Sequence, residues 1–537
     1  MTVEFPTLLR QLSQSEAFPV PVPRVDVRQT HISAVFLGGD CAYKIRKPVR
    51  LPFLDFSTLE QRRHDCEEEV RLNRRLAASI YLGVVPITQD ARGLHFEGVG
   101  TPVEWGVKMR RLPDDATLQH HVLAGTVTRE QVIELGERLA RFHKGALRNA
   151  QIAAFGQFEA VALNLRQNLE LARHQVGQAV SERVWASLVA RQEALLAERR
   201  SLIESRADRG LPCETHGDLH LDHVYFFPQS PPPADVAMID CIEFNERFRY
   251  TDPIADMAFL VMDLKFHGRR DLARDFAEAY FRASGDDEGR SLLALYSGYR
   301  AAVRGKVEGM LLEEPEVPQV DKDQARQRAQ AHWLLAQGEL LPPGQRPGML
   351  LVGGLPGCGK STLARHLGEA CGARVIRSDV VRKELAGIDP RHSGREIPGL
   401  YSAEMTERVY AEVLRQAEGA IWQGERVVVD AMFSRTAQRQ VFLHAADRWA
   451  VPTGWLICEA PEELVRDRLA QRRGDASDAD WQVYLQARAQ WEPVDSVTAR
   501  RTHSVTTTAP PDELVRRVTP VLAAWELATE PEEISQR

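Results

Sequence analysis

Gly354-Leu355-Pro356-Gly357-Cys358-Gly359-Lys360-Ser361 is the stretch that decides the fold of the second half of this chain. It fits G-x-x-x-x-G-K-[ST], a loop whose glycines let the backbone wrap a phosphate while a helix N-terminus aims amides at it. The context agrees with the letters. Met349-Leu350-Leu351-Val352 upstream reads as a buried strand, and Thr362-Leu363-Ala364-Arg365-His366-Leu367 downstream starts a helix. Gly354, Leu355, Pro356, Gly357, Cys358, Gly359, Lys360, Ser361 and Thr362 are therefore expected to bind nucleotide, with Lys360 adding a mobile charge and Ser361 holding Mg²⁺. Cys358 reads as a small residue tolerated where backbone does the binding. A redox switch there would require a lowered thiol pKa.

At 537 residues the chain exceeds one ordinary core, so two or three domains are expected. A hydrophobic content of 44% with 27% charged residues is that of a globular protein, and a net charge of −7 lends no support to nucleic-acid or membrane-surface binding. No apolar run approaches the roughly 20 residues of a membrane helix. The N-terminus, MTVEFPTLLRQLSQ, lacks signal-peptide character, and seven scattered cysteines without a C-x-x-C imply reduced thiols. These features predict a cytoplasmic location.

The proline and glycine cluster from Leu340 to Gly348 reads as a linker. The expected division is residues 1–340, a linker at 341–347, a second domain at 348–527 and a tail at 528–537. Beyond the linker, strands alternate with helices: Val375-Ile376, Arg426 to Val429, Trp455 to Cys458 and Ser504 to Thr506, with helical stretches at Ser402 to Trp422 and Pro461 to Arg473. That alternation predicts a parallel sheet covered on both faces. In the first domain, strands concentrate early (His31 to Leu37, Cys41 to Ile45, Val84 to Ile87, Val103 to Met109) and helices dominate from Arg129. This predicts an α+β arrangement of two lobes with a cleft. Pro231-Pro232-Pro233 reads as an exposed hairpin tip.

Within the second domain, Asp379 follows the second strand, where a carboxylate faces the ligand crevice of open α/β sheets and could take a proton from an acceptor hydroxyl. Arg377 or Arg382 could clamp an anionic group. Asp430 ends the run VVVD, at the place such folds put an acid near Mg²⁺. Arg466, Arg468, Arg472 and Arg473 decorate one helix and its end; Arg468 and Arg472 are expected to offset charge on the transferring phosphoryl group. From about Pro347 to Leu527 the chain resembles P-loop kinases of small molecules and polynucleotide ends, including gluconate-kinase-like, chloramphenicol-phosphotransferase-like and zeta-toxin-like proteins. The resemblance implies that Asp379 activates the acceptor and that the arginine helix is a lid.

The densest cluster of the first domain is HGDLHLDHV, His216 to Val224. Asp218, His220, Asp222 and His223 read D-x-H-x-D-H, one residue from a zinc-hydrolase signature, but position 218 is Asp where that signature needs His. The competing reading is a kinase catalytic loop. There Asp218 takes the hydroxyl proton, His223 stands five residues on near the metal, and Asp240 in Met238-Ile239-Asp240 follows a short hairpin to bind it. Lys44 in AYKIRKPV would hold the α/β phosphates. Glu67, Glu68 and Glu69 offer it a helical partner, of which Glu69 is favoured, and Met109 in Val107-Lys108-Met109 marks a hinge beside the adenine. The parts occur in the order Lys, Glu, hinge, Asp, Asp.

From about Val27 to Leu264 the chain resembles the aminoglycoside-phosphotransferase family within the protein-kinase-like fold, through CAYKIRKPV, LNRRLAASIYLGVVPI, HGDLHLDHVYF and IDCIEFNERFRYTDPIADMAFLVMDL. The whole chain is similar to bacterial bifunctional proteins in which such a domain precedes an ATP-binding P-loop half. The resemblance implies an α+β kinase-like domain, an α/β P-loop kinase domain, ATP and Mg²⁺ as cofactors, and a small hydroxylated acceptor such as a sugar or aminoglycoside-like molecule. The family places Asn where this chain has His223, and imidazole prefers softer ions than Mg²⁺. The only candidate phosphate-covering glycines are Gly38-Gly39. Phe142-His143 reads as helix packing, Asp252, Asp256 and Asp263 as braces or caps, and His120-His121 as free of metal-site spacing. Two active kinase sites, one active P-loop kinase regulated by the first half, and an ATP-dependent interaction or toxin-like module are the alternatives that remain.

Overall fold

The computed structural model describes residues 3–51, 54–394, 396–472 and 475–529. The chain forms two compact units. One comprises Met1–Ala162, Arg200–Leu264 and Asp271–Leu293; the other comprises Leu163–Arg199, Lys265–Arg270 and Ala294–Arg537. The residues 530–537 of the expected tail lie outside the described residues.

The first unit contains a six-stranded antiparallel sheet. Its order is Val25–Gln29, Ser33–Gly38, Cys41–Arg46, Pro102–Arg110, Tyr81–Asp90 and Gly93–Phe96. Ala34, Phe36, Tyr43, Ile45, Ile87 and Phe96 alternate onto one buried face, the period-two pattern of a half-buried sheet. The helix Leu59–Ala77 packs on the sheet's other side through Cys66 and Val70. Its start is fixed by a capping box between Thr58 and Gln61, which satisfies two otherwise unpaired N–H groups. Further along, the strands Val224–Phe226 and Val236–Met238 pair as a hairpin whose tip exposes Pro231, Pro232 and Pro233. Helices Arg129–Gly145 and Pro253–Phe266 flank the segment that precedes it.

In the second unit the sheet is parallel, with order Arg374–Arg377, Arg426–Asp430, Gly348–Gly354, Thr453–Glu459 and Thr502–Thr506. Every residue of Gly348–Gly354 and of Arg426–Asp430 is buried, as expected of central strands covered on both faces. Leu363 and Leu367 of the helix Lys360–Cys371 join Leu514, Val518 and Leu522 of the helix Pro511–Ala524 over Leu350, Val428 and Leu456. Truncating a fully buried core residue such as Leu351 to alanine costs about 2–5 kcal/mol. The kinase-like α+β fold and the α/β P-loop fold are both present. No described helix is long and apolar enough to cross a membrane.

Candidate functional sites

In the first unit the strand Cys41–Arg46 carries Lys44 and Arg46 two residues apart, hence on one face. The helix Leu59–Ala77 answers with Asp65 and Glu69, four residues apart on one helical stripe. Lys44 Nζ donates to Glu69 Oε1 at 2.9 Å and to Asp240 Oδ1 at 2.9 Å. Arg46 donates to Asp65, to Glu69 Oε2 at 2.5 Å and to Glu243 Oε1 at 2.5 Å. Four carboxylates thus surround two cations. Burial pushes the Glu243 carboxyl up to about 8, against the pull of Arg46. Burial also opposes ionisation of Asp240, but Lys44 and then His223 outweigh it and hold that carboxyl well below its ordinary value.

Asp240 follows the hairpin as expected, in a left-handed backbone conformation with φ +63°. Its N–H donates to the Tyr81 hydroxyl at 3.2 Å, and Cys241 N donates to Asn73 Oδ1 at 2.9 Å. These contacts pin a conformation that non-glycine residues adopt at a cost of about 1–3 kcal/mol. Facing it, a short 3₁₀ turn at Leu221–His223 turns His223 so that Nε2 lies 3.6 Å from Asp240 Oδ2. Asp218 Oδ2 lies 3.7 Å from His220 Nε2 and 3.9 Å from His223 Nδ1.

Asp256 holds this loop from below. It accepts from His216 N at 3.1 Å and Gly217 N at 2.8 Å, and pairs with His143 Nε2 at 3.1 Å, while His143 Nδ1 meets the Tyr280 hydroxyl at 2.8 Å. Asp263 accepts from Leu221 N at 2.8 Å, and Asp252 accepts from Ile254 N at 2.9 Å and from Arg206. The three aspartates thus brace and cap, and His143 sits in the same brace. Burial drives the His216 imidazole down to about 4, so it is neutral, with Nε2 donating to the Ile239 carbonyl at 2.8 Å.

Two further expected site residues have clear structural surroundings. Gly38-Gly39 form the turn between the second and third strands: Gly39 has φ +57°, and a Cβ on Gly38 would meet the Phe18 ring at 2.4 Å. Turn geometry and ring packing account for both glycines. Met109 lies opposite Ala42 and Tyr81 in the sheet, its side chain in the apolar cluster with Cys66 and Val107. The N–H groups of Arg110 and Arg111 that follow it donate to Ile80 O and Asp40 O, each at 2.9 Å or less. Sequence reading missed Arg46 and Tyr81; for Arg46 the signal was its position two residues after Lys44.

In the second unit the phosphate loop joins the strand Gly348–Gly354 to the helix Lys360–Cys371. Gly357 and Gly359 have φ +79° and +88°, conformations that a side chain disfavours. A Cβ on Gly357 would also lie 2.9 Å from Val465 and Leu469. Lys360 Nζ donates to the Leu355 carbonyl at 2.9 Å. Burial pushes the Asp430 carboxyl up, while Lys360, a hydrogen bond from Ser361 and Arg377 pull it down. The Ser361 hydroxyl and the Asp430 carboxylate, meeting beneath the loop, form an oxygen set of the kind a Mg²⁺ ion takes. Burial raises the Cys358 thiol and its sulfur faces the Leu355 carbonyl at 2.8 Å, so the lowered pKa of a redox switch is absent.

Gly357, Gly359, Lys360, Ser361 and Asp430 line a cleft of about 1090 Å³ together with Thr362, Asp379, Arg382, Arg468 and Arg472. Arg468 donates to Thr507 Oγ1 at 3.2 Å and Thr507 O at 2.7 Å, and the Thr507 hydroxyl donates to the Cys358 carbonyl at 2.6 Å. Thr507, unnoticed in the sequence, thereby ties the arginine helix to the phosphate loop. Arg472 keeps Nη1 buried without a hydrogen-bond partner and lies 3.8 Å from Asp475. Arg466 turns away and stacks on Trp481; Arg473 lies outside the described residues. Arg377 is engaged with Asp430 and Asp475, and Arg382 with the Leu400 carbonyl and Thr406.

A model of the phosphotransferase enzyme family matches residues 53–296, and one of an AAA domain matches residues 349–494. Uncharacterized proteins from Mycobacterium tuberculosis and Mycobacterium bovis are 37% identical over 475 residues, covering 87% of this chain and 90% of theirs. Among solved structures, a sugar kinase from Janibacter sp. HTCC2649 is 19% identical, covering 34% of this chain and 99% of that one, with a TM-score of 0.28. A gluconokinase from Sinorhizobium meliloti 1021 is 22% identical, covering 33% of this chain and 93% of that one, with a TM-score of 0.25. The chain belongs to the family it shares with the mycobacterial proteins, in which a phosphotransferase-enzyme domain precedes a P-loop domain of the kinase type.

Proposed function

We propose that the chain is an ATP-dependent phosphotransferase with two nucleotide sites, moving a phosphoryl group to a hydroxyl of a small sugar or aminoglycoside-like molecule. The observation that carries this reading is one cleft lined by Lys360, Ser361, Asp379, Asp430, Arg468 and Arg472. Bound MgATP would supply the phosphoryl group and a divalent charge beside it. Amides of the loop and Lys360 would hold the phosphates, and Ser361 with Asp430 would hold the ion. Asp379 would take the proton from the acceptor oxygen, and Arg468 and Arg472 would offset charge as it spreads over the transferring group. In the first unit, Lys44 with Glu69 would position phosphates and Asp218 would accept the hydroxyl proton.

A second reading is favoured by one residue. His223, standing against Asp240, departs from the all-oxygen donor set that suits Mg²⁺, so the first unit would bind nucleotide and regulate an active P-loop kinase. ATP consumption and acceptor phosphorylation across a panel of hydroxylated metabolites, for wild type, Asp218→Ala and Lys360→Ala, separate the readings. Two sites require that each variant lose a different activity. An unchanged profile for Asp218→Ala leaves only the regulated kinase. If neither variant alters turnover, the phosphotransferase reading fails.

A further inference from the structure

We infer that the cluster of Asp218, His220 and His223, with Asp240 at its edge, is a binding site for a first-row transition dication such as Zn²⁺ or Co²⁺ in preference to Mg²⁺. The inference deepens the reading of the first unit as a phosphate-handling site and rests on it for the ion's purpose, though not for its binding.

Three observations carry it. First, one donor atom from each of Asp218, His220 and His223 lies within 4.8 Å of the other two. A tetrahedral ion with bonds of about 2.0–2.1 Å separates its ligand atoms by about 3.4 Å. The separations of 3.7 Å between Asp218 and His220, and of 3.6 Å between His223 and Asp240, need only slight contraction.

Second, the imidazole tautomer is set by its neighbour. His223 Nδ1 lies 2.8 Å from the Asp218 carbonyl, which can only accept, so Nδ1 carries the hydrogen. In the neutral form of that ring the lone pair is on Nε2, which lies 3.6 Å from Asp240 Oδ2. A backbone carbonyl orienting a histidine in this way is a recurrent support for metal-binding imidazole. Asp240 divides its two oxygens accordingly, Oδ1 to Lys44 and Oδ2 toward His223.

Third, the surroundings hold excess negative charge. Asp65, Glu69 and Asp240 face Lys44 and Arg46, and Asp218 adds another carboxylate beside them. A divalent ion would balance that excess. Two imidazoles among its ligands select a borderline metal over Mg²⁺, which keeps an octahedral oxygen shell.

The test uses the full-length protein, stripped with a chelator and titrated with Co²⁺ while its visible absorption is recorded, followed by competition with Zn²⁺ and with Mg²⁺. One equivalent of Co²⁺ with an imidazole-type spectrum is expected, displaced by Zn²⁺ and not by Mg²⁺ at equal concentration. His220→Asn and His223→Asn are each expected to weaken Co²⁺ binding about 100-fold. Asp218→Asn is the second route should a histidine variant fail to fold, and is expected to weaken it likewise. Asp430→Asn, at the other site, should leave the spectrum unchanged. Displacement of Co²⁺ by Mg²⁺ at equal concentration overturns the inference. So does an undiminished spectrum in folded His220→Asn, His223→Asn and Asp218→Asn. Co²⁺ binding that follows these expectations in a protein whose phosphotransfer ignores Asp218→Ala upholds the metal site while the catalytic reading of the first unit falls.

Discussion

The two candidate phosphate sites of this chain are built from different materials. The phosphate loop is largely backbone: eight consecutive residues, three of them glycines at positive φ, with Lys360 as its charged side chain and Asp430 beside it. The kinase-like site is almost entirely side chain. Lys44 meets Glu69 across 25 positions of sequence and Asp240 across 196, and each partner is ionic. A backbone site depends on few side chains, and losing one of those removes function while the fold survives. An ionic side-chain site is cooperative, so losing one member leaves its partners buried and unpaired.

The largest expected effect tests the backbone half. Lys360→Ala should lower phosphotransfer assigned to the P-loop unit about 10³-fold while thermal unfolding stays close to wild type. A variant that unfolds early would show that Lys360, bonded to the Leu355 carbonyl, is structural after all. Next comes the ionic half. Lys44→Ala leaves Glu69 and Asp240 without their shared cation, and should destabilise the first unit by about 3 kcal/mol, since Glu69 keeps Arg46 and solvent reaches the half-exposed Asp240. Amide hydrogen exchange over the strand Cys41–Arg46 and the segment after Met238 reads this directly. Protection as in wild type would mean that Arg46 alone holds the network. A smaller loss, about 2–3 kcal/mol, is expected for Asp256→Ala, which strips partners from His216 N, Gly217 N and His143. Asp256→Asn should recover part of it, and equal loss in both variants would argue for charge rather than hydrogen bonding.

The same contrast governs what could be read beforehand. The P-loop, its strand and its helix were legible because the whole device is contiguous and its glycines are demanded by φ. Asp379 and Asp430 followed from the rule that strand ends face the crevice, and the structure puts both on one cleft. Lys44, Glu69 and Asp240 were legible as an ordered set. Arg46 was not, because an arginine in a strand reads as exposed until Asp65, Glu69 and Glu243 are seen around it. The strands Val25–Gln29 and Gly93–Phe96 escaped notice as edge strands, where polar residues interrupt the apolar pattern. Gly38-Gly39 was ambiguous in the sequence, because a glycine pair suits a tight hairpin as well as a phosphate; the Phe18 ring packed against Gly38 was not foreseeable from sequence.

The smallest expected effect concerns protons in the second unit. His332 is buried on the helix Gln319–Leu340, stacked on Phe266 with ring centroids 3.8 Å apart, and its Nδ1 meets the Arg328 carbonyl at 3.0 Å. Burial, then the nearby Arg304 guanidinium, drive its pKa well below the ordinary value of a histidine. The folded form therefore refuses a proton that the unfolded chain accepts. Above a pH of about 6.5 both forms are neutral and stability is full; below it, stability should fall by about 1.4 kcal/mol per pH unit from this group. The loss continues until the folded-state pKa is reached. Urea unfolding followed by fluorescence between pH 7.5 and 5.5 measures the slope, and His332→Phe, which keeps an aromatic ring against Phe266, should flatten it relative to wild type. Parallel slopes in the two proteins would place the proton uptake elsewhere. The kinase-like unit, whose buried carboxylates rely on their cation partners, would then be the next place to look.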